Sequence, residues 1–195
     1  MPLEQDQRSH PLRRGELAAL GIQLPVLATV CPVPLPTAPD WPRRLERADL
    51  DVITTGHMLD DPDSWLEAVG AVPHRPVMAL AEDAAGATAL ARAGCRLVCT
   101  RAPAPPDLYT FSSERSVVAV SGASASVEDV NEIAARILEA CTKEPASSLW
   151  VSAGPGLSDL PVDIVDAKLR ALTEGARQAR LWLAKEQFDR SPGPS

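Results

Sequence analysis

Short apolar runs alternate with helix-forming segments along most of this chain, and within each run the apolar residues are consecutive rather than every second one. Val26 to Val30 (VLATV), Leu50 to Thr54 (LDVIT), Pro76 to Leu80 (PVMAL), Arg96 to Cys99 (RLVC), Ser116 to Val120 (SVVAV) and Leu149 to Val151 (LWV) are such runs. A strand without a polar face must be covered on both sides, which is the condition of a parallel sheet flanked by helices or closed into a barrel. The intervening segments carry helix signals. Asp60-Asp61-Pro62 precedes a short helix over 63–69, Gly94 ends a small-residue helix over 84–93, and Ser126-Val127-Glu128-Asp129 reads as a capping box opening a helix over 127–142. In the last helix Val165, Leu169, Leu172, Ala176, Ala179 and Leu183 recur at three- and four-residue steps, giving one buried stripe.

The predicted fold is therefore α/β with about six parallel strands. A complete eight-stranded barrel takes roughly 250 residues, more than the 195 here. The chain is read as a TIM-barrel-like (β/α) fold that is incomplete, with an open doubly wound parallel sheet as the alternative. A hydrophobic content of 45% supports one sizeable core, so residues 16–189 are taken as a single domain. Residues 1–15 and 190–195, polar and punctuated by Pro and Gly, are expected to be flexible.

A net charge of −7, with no basic cluster beyond Arg13-Arg14 and Arg43-Arg44, argues against binding to nucleic acid or an anionic membrane. No apolar run approaches the roughly 20 residues of a membrane span, and the first residues carry no signal core. The four cysteines, Cys31, Cys95, Cys99 and Cys141, contain no CxxC pair, so reduced thiols and a cytoplasmic location are expected.

If the strands are parallel, their C-terminal ends share one rim, the usual ligand-binding place in such folds. That rim carries Cys31, His57, Glu82, Asp83, Cys99, Arg101, Ser121 and Ser152 as candidate ligand-binding residues. His57, Asp83 and the two cysteines form a donor set of the kind that holds a metal. The same residues also have plain structural readings. Cysteine at the end of an apolar run behaves as a small hydrophobe, and Glu82-Asp83 complements the start of a helix.

Leu149 to Arg180 (LWVSAGPGLSDLPVDIVDAKLRALTEGARQAR) resembles the closing strand, loop and helix of the cobalamin-independent methionine synthase family, where a Pro-Asp-Cys-Gly-Leu turn follows Leu-Trp-Val. Gly156, Leu157, Ala167, Lys168, Leu169, Arg170 and Arg180 match. Upstream, Ser116 to Val120 and Ala125 to Val130 (ASVEDV) resemble the family's preceding strand and helix start. Leu50 to His57 (LDVITTGH) resembles its Leu-Asp-Ile-Ile-Thr-Asp-Gly-Glu, and Ala28 to Pro34 (ATVCPVP) more weakly its opening strand. The resemblance implies a barrel whose zinc is held by a His-x-Cys pair, a glutamate and a final cysteine, and in which the metal activates a homocysteine thiol toward a folate methyl group. This chain departs at each ligand: Ala79 and Ala81 fall at the His-x-Cys pair, the glutamate falls near Cys99 or Thr100, and Pro155, which has no metal-binding atom, replaces the last cysteine. Gly154, Ala119, Ala125, Thr55 and His57 replace further acidic residues.

What the resemblance implies is a shortened relative with no zinc-thiolate site and no cofactor. The expected function is a non-catalytic subunit that binds a small organic ligand or a partner, either a second copy or another protein that completes the barrel. The alternative is a methyltransferase-type enzyme of methionine or one-carbon metabolism with a non-standard site.

Overall fold

A computed structural model of the chain describes residues 17–19, 22–38, 40–59, 62–100, 102–105, 108–111 and 116–190, with only the backbone of 57–59 and 187–190. Of the segments expected to be flexible, 1–15 and 191–195 lie outside the described residues, whereas Arg190 is the last residue of the final helix. Each apolar run forms a strand: β1 (Ala28–Val30), β2 (Ile53–Leu59), β3 (Val77–Ala81), β4 (Leu97–Cys99), β6 (Ser116–Val120) and β7 (Trp150–Ala153). A short β5 (Tyr109–Thr110) follows β4, so there are seven strands among the described residues rather than about six. β5 escapes a sequence reading because two residues after a proline-rich loop carry no periodicity. The helices are α1 (Trp41–Arg47), α2 (Pro62–Ala71), α3 (Ala84–Arg92), α4 (Val130–Lys143) and α5 (Val162–Arg190).

Among the described residues every strand pair is parallel. One sheet has the order β1-β7-β6 and the other β2-β3-β4-β5, and a parallel bridge between Val30 and Val52 joins them at β1 and β2. The combined order, β6-β7-β1-β2-β3-β4-β5, is the ring order of a (β/α) barrel cut between β5 and β6. One contact decides between a curled and an open sheet. Phe111, just past β5, meets Trp150 of β7 with ring centroids 5.4 Å apart, edge to face at 67°. In a flat sheet these strands would be five places apart, about 24 Å at ~4.8 Å per strand. The sheet therefore closes on itself as a TIM-barrel-like cylinder with a seam between β5 and β6.

The two faces of the cylinder hold separate cores. Val30, Val52, Met78, Leu80, Leu97 and Trp150 point inward, with Leu17 packed among them, and the outer faces bury against the helices. Strand alternation accounts for the division: Met78 and Leu80 are inside, Val77, Ala79 and Ala81 outside. At the seam Val118 of β6 is 45% exposed. The guanidinium of Arg136 from α4 donates to the carbonyls of Val118 and Ala119 (3.2 and 3.1 Å), which blunts this strand as a template for pairing.

α4 begins at Val130, three residues later than the capping-box reading. Asp129 is the cap, its carboxylate accepting from the N–H groups of Asn131 and Glu132 (2.8 and 3.2 Å). Glu128 is turned away to other partners. In α5 the predicted stripe is buried as read: Val165, Leu169, Leu172, Ala176 and Ala179 are fully covered and Leu183 is partly so. Leu169→Ala or Leu172→Ala is expected to cost about 2–5 kcal/mol by transfer and cavity terms. Lys185→Ala, at an exposed position beside the Trp182 ring, should stay within ~0.5 kcal/mol. Chemical denaturation of the three variants checks the contrast, and equal losses would mean that α5 packs differently.

Candidate functional site

The rim residues are built from strand ends, and the structure separates most of them. Cys31, one residue past β1, is fully buried in the outer core, with its thiol 4.0 Å from the carbonyl of Val33. Burial pushes that thiol from 9.0 up to about 12, so it stays protonated at neutral pH and is a poor metal ligand or nucleophile as it stands. Cys99, at the end of β4, lies on the inner side and is half-buried, its thiol directed to the Pro32 carbonyl at 3.8 Å. The loop after β1 thus brings the two cysteine segments together, although their side chains belong to opposite faces of the sheet.

Glu82 and Asp83 are exposed at the head of α3, where the Asp83 carboxylate accepts from the Gly86 N–H (2.7 Å) and caps the helix. Ser152 is buried inside the cylinder and its hydroxyl donates to that of Ser116 (3.0 Å), holding β7 to β6 by side chains as well as backbone. Ser121 follows β6, and its hydroxyl accepts from the Ala123 N–H (3.1 Å). The backbone of His57 lies in β2, and its side chain is outside the described residues, as is all of Arg101. Among the described residues no group of three or more His, Cys, Asp or Glu side chains is placed to hold a metal ion.

The positions equated with zinc ligands are occupied by packing. Ala79 and Ala81 are buried in the outer core, so side chains there would face the helices and not the barrel mouth. This corrects the expected correspondence: on β3 the inward positions are Met78 and Leu80. The Gly154-Pro155-Gly156 turn is pressed against the loop after β6. The Gly122 N–H donates to the Pro155 carbonyl (2.9 Å), and a Cβ on Gly122 would stand 1.9 Å from the Gly156 carbonyl carbon. Gly156 itself has φ 88°, a left-handed conformation that glycine adopts without a Cβ penalty. Leu157 then fills the core completely.

Sequence reasoning missed the group that organises this end of the barrel. Lys168 of α5 is fully buried, and its ammonium donates to Glu128 Oε2 (2.9 Å) and to the Ser126 carbonyl. Glu128 Oε1 accepts from the Ser121 N–H (2.9 Å). One ion pair therefore pins the end of β6, the entry to α4 and the first turns of α5. The signal was available: Lys168 stands three residues after Val165 and four before Leu172, on the apolar stripe, where an unpaired lysine would be very costly. A second network works at the opposite end. Arg180 donates to the carbonyls of Val26 and Leu27 (both 2.9 Å) and pairs with Asp51, whose carboxylate also accepts from the N–H and hydroxyl of Thr29 (both 2.8 Å).

No protein-family model and no curated protein matches the sequence. Among solved structures, a B12-independent methionine synthase from Shewanella sp. W3-18-1, in complex with selenomethionine, is a distant structural match: 15% identity, TM-score 0.36, over 72% of this chain and 51% of that one. The chain thus spans about half the length of the protein it matches.

Proposed function

We propose that this protein is a shortened, degenerate relative of the cobalamin-independent methionine synthases that works as a non-catalytic subunit, binding a small ligand or a partner that covers its open seam. The observation that carries the reading is the turn at Pro155. Where the resembled family carries its zinc-binding cysteine, this chain uses Gly122, Gly156 and Leu157 to close backbone on backbone. A loop committed to packing supplies no thiolate. The partner half of the proposal rests on the seam between β5 and β6, where Val118 is 45% exposed. Of the rim residues, Cys99 on the inner side and Ser121 at the end of β6 are the candidate contacts for a small ligand.

Sedimentation across a range of concentrations, on protein purified without chelator and assayed for zinc, tests both halves. Association of the chain with itself or with a co-purifying protein, and zinc well below one per chain, is the expected result. A monomer at every concentration that captures no partner removes the partner role. Stoichiometric zinc with homocysteine methylation would restore the enzyme reading.

A further inference from the structure

Away from the rim, a cavity of about 320 Å³ lies between α5 and the C-terminal end of α1, bordered by Thr29 of β1. Its walls carry four arginines, Arg47, Arg170, Arg177 and Arg180, and two acids, Asp49 and Glu174. Positions 170, 173, 174, 177 and 180 recur at three- and four-residue steps, so a single face of α5 lines it. This concentration of cations stands in a chain whose formal net charge is −7.

Local pairing decides what remains for a ligand. Asp49 is engaged by Arg75 (2.6 Å), Glu174 by Arg177 through two bonds (2.8 and 2.6 Å), and Asp51 behind the wall by Arg180. Hydrogen bonds from Arg177 hold the Glu174 carboxyl below its ordinary range, so that pair is matched at neutral pH. The guanidinium groups of Arg47 and Arg170 have no ion pair or hydrogen bond among the described residues, and both residues are exposed and line the cavity. The carbonyls of Arg44, Leu45 and Glu46 at the end of α1 already accept from Ala48, Leu50 and Asp49, which reduces the negative field a helix end would otherwise present.

We infer that this cavity is a binding site for a small phosphorylated molecule, with Arg47 and Arg170 gripping the phosphate oxygens, while Arg177 and Arg180, held by Glu174 and Asp51, form its wall. Guanidinium groups match phosphate oxygens two at a time, and a volume of about 320 Å³ is at the lower end of small-molecule pockets. The site is independent of the proposed subunit role, because it shares no residue with the rim or the seam.

Calorimetric titration of the full chain with inorganic pyrophosphate tests the inference. Saturable binding to one site is expected, weakened at least tenfold in the R47A/R170A double variant and little changed in R92A/R96A, a control of equal charge outside the cavity. Equal weakening in both double variants would reduce the effect to overall charge and overturn the site. So would the absence of saturable binding to the unmodified chain. Anionic phospholipid vesicles form the second arm: retention on vesicles without pyrophosphate binding would replace the soluble phosphate with a lipid headgroup and overturn the assignment.

Discussion

Glu128→Ala is expected to destabilise the fold by about 3–5 kcal/mol, because it leaves the Lys168 ammonium buried with no counter-charge. The lysine side chain is 0% exposed and Glu128 20%, so the cation has no short path to water while the carboxylate has one. Lys168→Met should therefore cost less than Glu128→Ala: it keeps volume, and the stranded carboxylate still accepts from the Ser121 N–H and can hydrate. Removing both charges, as Glu128→Gln with Lys168→Met, should recover much of the loss, since a buried pair and a well-packed neutral pair are often close in free energy. Urea denaturation of the three variants measures the order. A loss under ~1 kcal/mol in Glu128→Ala would mean that the ammonium reaches solvent and that the three-element junction is held by packing alone. Against a total stability of about 5–15 kcal/mol for an ordinary domain, the expected loss threatens folding outright.

The same junction shows where a linear reading fails. Ser126 to Asp129 has the composition of a capping box, and local chemistry alone gives no reason to prefer one acidic residue over its neighbour. Tertiary partners decide: Lys168, 40 residues away, takes Glu128, and Asp129 is left to cap. The strands were legible because their burial on both faces is written as consecutive apolar residues, and the stripe of α5 because a helix of 29 residues repeats its signal many times. β5 was not legible, as two residues cannot show a period, and α1 was masked by Pro42 next to Trp41, which is compatible with a helix only in its first turn. On β3 the question of which residues face inward depends on a parity that sequence leaves open, so Ala79 and Ala81 were equated with ligands although they face the helices. Of the candidate rim, the sequence could name residues at strand ends, but not that Cys31 points outward into an apolar core. The arginine cavity was invisible for a related reason: its cations come from two helices more than a hundred residues apart.

Trp150→Ala is expected to cost about 3–5 kcal/mol, the range for a large aromatic truncated in a core. Trp150 is 1% exposed and begins β7 on the inside of the cylinder, with Met78, Leu80 and Leu97 in the same inner core. Its loss empties the middle of a small interior whose strands are held in place by hydrogen bonds, which limits collapse into the gap. The more telling measurement is its coupling to Phe111. Edge-to-face pairs contribute about 0.5–1.5 kcal/mol beyond their buried area, so a double-mutant cycle with Phe111→Ala should return a coupling of that size. If the sheet were open and doubly wound, the two residues would stand about 24 Å apart, and changes at that distance add within roughly 0.3–0.5 kcal/mol. Additive losses in the cycle would therefore reject the closed cylinder, and with it the seam between β5 and β6 on which the partner role depends.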